Sequence, residues 1–129
     1  MTRKPMKNRR SNITCHVSWT SRSGPDTKLI VTYGIEDNKV KEAFCSGFRA
    51  DSDICSLAND GCIMMSLLLQ HGVDIMSVAN ACGENRMEKE SSGPPASLLG
   101  AIAREGAFVE KILQQGGELN ISSVKKQEV

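Results

Sequence analysis

Hydrophobic and polar positions along this chain change period twice, and each change marks a change of element. Ile13, Cys15, Val17 and Trp19 alternate with Thr14, His16, Ser18 and Thr20. A period of two describes a strand with one wet face. A Gly-Pro turn in residues 21–26 separates it from a second alternating run, Leu29, Val31, Tyr33 and Ile35. Four polar residues, 36–39, then lead to a third strand predicted from Val40 to Phe48. Connections this short favour an antiparallel meander, whose apolar face needs a cover.

The period lengthens after residue 53. Ile54, Leu57, Ala58, Gly61, Met65 and Leu68 recur at helical spacing, and from Gly61 to Leu69 only Ser66 is polar. A helix apolar nearly all round belongs in the middle of a domain. This one is predicted over residues 53–71, capped by Asp53 and stopped at Gly72. Asp74 is placed to cap a short helix after it. Residues 83–96 are charged, then rich in Gly, Pro and Ser, and read as a mobile loop. Pro95 is suited to a helix start nearby. Leu98, Leu99, Ile102, Val109, Ile112 and Leu113 form the stripe of a last helix, with Arg104, Glu105, Glu110 and Lys111 off it. Gly116-Gly117 ends that helix. Gly100 and Gly106 inside it cost about 1 kcal/mol each relative to Ala, unless close packing repays them. The expected fold is α+β: a small antiparallel sheet of about three strands covered by a central helix, a short helix and a C-terminal helix. The expected division is a basic disordered arm at 1–11, one domain at 12–115 and a disordered tail at 116–129.

Composition narrows the class without naming a partner. The 129 residues carry 16 Lys plus Arg against 15 Asp plus Glu. Five basic residues fall within the first ten positions, with no apolar run behind them, so a secretory signal is not expected. No stretch approaches the roughly 20 apolar residues of a membrane span, and a cytoplasmic protein is expected. The five cysteines, Cys15, Cys45, Cys55, Cys62 and Cys82, include no C-x-x-C pair. They read as small buried hydrophobes in a reducing compartment.

Candidate chemistry is sparse. His16 sits on the polar side of a strand and His71 at a helix end, too far apart in sequence to suggest a metal site. No zinc-protease, phosphate-loop, dinucleotide or nucleophile-elbow motif occurs. Cys55 and Cys62 lie two turns apart on one helix, a spacing that does not make a redox pair. Asp51, Ser52, Asp53 and Asp60 cluster near the helix start, where such residues cap. Residues 66–86 have the outline of a helix-turn-helix, but only Asn80, Asn85 and Arg86 could reach base edges.

Several segments together resemble a known domain. EAFCSG (42–47), the SD pair at 52–53, SLLLQHGV (66–73) and PASLLGAIA (95–103), with NRR (8–10) before the first strand, are similar to the TSCPD domain. That domain occurs near the C-terminus of adenosylcobalamin-dependent, class II ribonucleotide reductases and in small free-standing bacterial and phage proteins. The similarity covers about residues 8–114. It implies association with deoxyribonucleotide synthesis, and adenosylcobalamin by family association alone. No cofactor is expected on this chain, which lacks the reductase barrel and has no cysteine after Cys82. The resemblance therefore implies a non-catalytic accessory module that binds a reductase subunit, a nucleotide or a second copy of itself, without a membrane. Ser46, Gly47, Asp51, Ser52 and Asp53 at the sheet-to-helix junction, with Gln70 and His71 at the far helix end, are the candidate binding residues. A small DNA-binding or regulatory protein, using the basic arm and residues 66–86, is the alternative.

Overall fold

The computed structural model describes residues 2–3, 11–21, 26–46, 52–85 and 93–116. Most of the arm and tail, and residues 86–92 of the 83–96 segment, lie outside the described residues. Three strands, β1 (Ser11–Thr20), β2 (Asp26–Glu36) and β3 (Lys39–Ser46), form one antiparallel sheet in the order β1-β2-β3. Three helices follow: α1 (Asp53–Gln70), α2 (Ile75–Ala81) and α3 (Leu98–Gln114). The α+β architecture is the expected one.

Alternation decides which face of the sheet is covered. Cys15, Val17, Leu29, Val31, Tyr33, Ile35 and Ala43 are buried on one side, while Thr14, His16 and Phe44 are exposed on the other. The β2–β3 connection is tight because Asp37 and Asn38 both adopt positive φ, 54° and 59°. Two such residues make the hairpin turn whose twist matches the strands. One turn further on, the register slips between Gly34 and Ile35: Gly34 pairs with Glu42, but Ile35 pairs with Val40. Without this bulge, Lys41 would share the inward parity of Ala43 and Cys45. With it, Val40 takes the core position at 1% exposure and Lys41 moves to the sheet edge.

The middle of the domain belongs to α3, where the hydrophobic pattern had pointed to α1. Nine residues of α3 are buried, against six of α1, and α1 leaves Leu57, Ile63, Met64 and Leu68 exposed. Small residues explain the difference, since Ala101, Ala103, Gly106 and Ala107 let α3 approach the sheet closely. A Cβ on Gly106 would meet Tyr33 Cε1 at 2.9 Å. Tyr33 is fully buried, and its hydroxyl donates to Ile102 O at 2.6 Å. Burial pushes that phenol well above its ordinary value. Glu110, off the predicted stripe, is also buried, because its Oε1 accepts the Val40 amide at 2.9 Å. A buried acceptor is tolerated when a donor reaches it.

The helix starts differ in detail from expectation. Ser52, not Asp53, is the N-cap of α1, its hydroxyl accepting from Cys55 N, and Asp53 is the first helical residue. Asp74 stands at the N-cap of α2 but makes no side-chain cap bond, its carboxylate taking Lys39 Nζ at 3.3 Å instead. Ser97 caps α3 by accepting from Gly100 N. Pro95 belongs to a bridge with Glu84 that joins the two described ends of the 83–96 segment. The Pro95 carbonyl accepts the Trp19 indole at 3.0 Å, tying this junction to β1.

Candidate binding groove beside the third strand

The outer edge of β3 would ordinarily present unpaired backbone groups to solvent. Here α1 runs antiparallel beside it and supplies the partners. Gln70 Nε2 donates to Lys41 O at 3.2 Å. The Ser66 hydroxyl accepts Ala43 N at 3.0 Å and donates to Ala43 O at 3.3 Å. At the third rung Cys45 Sγ donates to Asn59 Oδ1 at 3.5 Å and meets the Cys62 thiol. The fit is metric. Two strand residues advance about 6.6 Å and four helical residues about 6 Å, so alternate residues of β3 meet successive turns of α1.

A groove of about 520 Å³ opens between these two elements. Phe44, Ile63 and Leu67 give it apolar walls and are 53%, 58% and 38% exposed. One end is polar: Arg3 Nε donates to Gln70 Oε1 at 2.7 Å, so the Gln70 amide joins Arg3 to the sheet edge. Asn59 and the thiols of Cys45 and Cys62 line another part. Asn59 also donates to Cys55 Sγ at 3.4 Å, which gathers three of the five cysteines. Burial pushes the Cys62 thiol up to about 12, and contact with Cys45 adds to the shift. Burial likewise raises Cys45, partly offset by its hydrogen bond with Cys62. Thiols held protonated in this way are poor nucleophiles near neutral pH. Among the described residues no group of three or more His, Cys, Asp or Glu could hold a metal ion.

The sequence-derived candidates divide between the two ends of α1. Ser46 ends β3, exposed and paired in register with Ile30, while Ser52 and Asp53 begin α1. Gly47 and Asp51 lie outside the described residues. Gln70 and His71 are at the opposite end, about 27 Å along an 18-residue helix. His71 is the C-cap, with Nδ1 2.8 Å from Leu67 O. Of the described candidates only Gln70 lines the groove. Sequence reasoning missed Phe44, Cys45, Asn59 and Ile63. Strand parity offered a signal for Phe44, an aromatic on the side opposite Ala43 and Cys45.

A second hollow of about 260 Å³ lies between α2 and α3 and includes Asn80, Glu84, Arg104 and Lys111. Arg104 is already engaged, bonding Glu84 Oε2 at 2.9 Å and Gly93 O at 2.9 Å. The short helix α2 contains no Lys or Arg and packs mainly against α3 rather than α1. Among the described residues no helix is long and apolar enough to cross a membrane. Compared with protein-family models, with curated proteins and with solved structures, the chain matches none.

Proposed function

We propose that this chain is a non-catalytic docking module that receives a partner protein in the groove between β3 and α1. The groove itself carries the reading: large apolar side chains stand exposed around a hollow with polar contacts at its margins. Partner-binding sites combine these features, since apolar area supplies affinity and placed polar groups fix orientation. Phe44 and Ile63 are the anchors, and Gln70 with Arg3 sets the register of the incoming segment. The strand edge beside them is already satisfied by Ser66 and Gln70, so the partner is held by side-chain burial rather than as an added strand. The resemblance described above supplies the class of partner, a ribonucleotide reductase subunit, and so a place in deoxyribonucleotide synthesis. The raised thiols support a binding rather than a catalytic role.

The test is affinity capture by tagged protein from its native extract, with and without nuclease and with and without added nucleotides, beside the Phe44→Asp variant. The expected result is recovery of a reductase subunit that resists nuclease and falls at least about tenfold with Phe44→Asp, the loss of one buried anchor. Equal recovery by both proteins would remove the groove from the account. Recovery that vanishes with nuclease would replace it with the nucleic-acid reading, for which a steep salt dependence is the further mark.

A further inference from the structure

The rungs between β3 and α1 follow one rule: two residues along the strand answer four along the helix. Lys41 meets Gln70 and Ala43 meets Ser66, so the rule sets Cys45 opposite Cys62. Both thiols line the groove there and hydrogen-bond to one another. Asn59, one turn before Cys62, holds the strand cysteine by accepting from its Sγ at 3.5 Å. The same amide donates to Cys55 Sγ at 3.4 Å, so it fills the space between Cys45 and Cys55. Cys55 itself lies two turns, about 10 Å, from Cys62 along the helix. Cys45 and Cys62 are thus free thiols of two different elements brought face to face.

We propose that Cys45 and Cys62 form a reversible disulfide site, closed by exchange with a small-molecule disulfide such as oxidised glutathione. Cys45 is half-buried and Cys62 only 3% exposed, so exchange enters at Cys45. The Cys45 thiol gives its proton to water, and its thiolate attacks one sulfur of the small disulfide. A mixed disulfide forms at Cys45 Sγ as the sulfur–sulfur bond of glutathione breaks and one glutathione thiolate leaves. The groove, about 520 Å³, gives the remaining glutathionyl group room. Cys62 then loses its proton and attacks Cys45 Sγ, expelling the second glutathione thiolate. The two leaving thiolates take up the two protons, so two protein thiols are oxidised and one disulfide is reduced to two thiols. Burial holds both protein thiols protonated, which makes the first attack slow. The second attack is intramolecular, and contact stands in for concentration. Cys62 needs no access to solvent, because its target is already beside it. Excess reduced glutathione runs the sequence backwards. The closed form makes the third rung covalent and staples β3 to α1 across 17 positions of chain.

The site does not depend on a docking partner, and its test reads none. The folded full chain is incubated with excess oxidised glutathione, remaining thiols are alkylated, and intact mass and peptide linkages are read by mass spectrometry. The expected product has lost two hydrogens, carries no glutathione and links Cys45 to Cys62. Cys62→Ser is expected to stop at a single glutathione adduct on Cys45. Cys45→Ser is expected to slow the loss of the Cys62 thiol at least about tenfold, since the buried group then has no neighbour to attack. The native chain alone decides the linkage, so the result stands even where a serine variant folds poorly. Closing a loop of this length is expected to raise the melting temperature by at least about 5 °C, reversed by dithiothreitol. A lasting adduct on Cys45 in the native chain overturns the proposal, as does a linkage through Cys15, Cys55 or Cys82, or no linkage at all. A melting temperature that falls on closure overturns the claim that the bond fits the folded geometry.

Discussion

Two helices lean on the same three-stranded sheet in opposite ways. α3 is held by close apolar contact: Tyr33 fills the space above Gly106, with Ile102 and Val109 fully buried around it. α1 puts Ala58, Cys62, Met65 and Leu69 into the same core and is held in addition along a line of hydrogen bonds to the edge of β3, at Ala43 through Ser66 and at Lys41 through Gln70. The first contact buries nine residues of α3 and leaves its exposed side to polar residues such as Arg104 and Lys111. The second covers a strand edge with a few polar groups and leaves large apolar side chains facing outward. Burial on most of its surface makes α3 the core, while α1, buried on one side and hydrogen-bonded along the strand edge, also presents a surface.

The sharpest way to break this contrast is at Tyr33. Tyr33→Ala should cost about 3–5 kcal/mol in urea denaturation, the range for removing a buried aromatic. Gly106→Ala should cost about 1–3 kcal/mol, because a Cβ there would press on a ring with no room to retreat. Ser66→Ala, on the α1 side, should cost about 1–2 kcal/mol by stranding the Ala43 amide, and hydrogen exchange should show faster protons along β3 before any in β1. If Ser66→Ala proved as costly as Tyr33→Ala, the two helices would not differ as described.

The smallest expected effect is a pH dependence at Cys62. Its thiol is raised from 9.0 to about 12 in the folded chain, chiefly by burial. The folded state therefore holds this proton more tightly than the unfolded state does. The stability it contributes is fully present below about pH 9 and is lost as pH rises toward 12. Denaturation midpoints should fall between about pH 8 and about pH 10.5, and fall less in Cys62→Ala. Equal slopes for the two proteins would assign the alkaline loss to other groups.

The sheet was legible in the sequence because alternation is a local signal, and the turn at Asp37-Asn38 announced itself by its polarity. The bulge was not legible, since its cause is the need to bring Val40 rather than Lys41 inward, which appears only once β2 lies alongside. The two long helices were found, but their ranks were exchanged. Hydrophobicity around α1 was read as burial, when part of it is outward surface. Gly106 had the opposite meaning: a residue that weakens a helix by itself stands where α3 meets the buried Tyr33 ring, with no room for a Cβ. Capping chemistry drew attention to the junction at 46–53, where Ser52 does cap, as such residues ordinarily do. The groove residues carry no motif, because a docking surface needs only shape and apolar area.

The rungs joining β3 to α1 also have a history in time. During synthesis the whole meander is made before the residues that seal its edge, with Ser46 ending the strand and Ser66 and Gln70 following 20 and 24 positions later. At the usual pace of translation that interval lasts about 1–5 s. A nascent chain thus passes through a stage in which β3 is bare toward any neighbouring strand on the same polysome. Translation slowed within residues 47–70 would lengthen that exposure without altering a single contact of the finished fold.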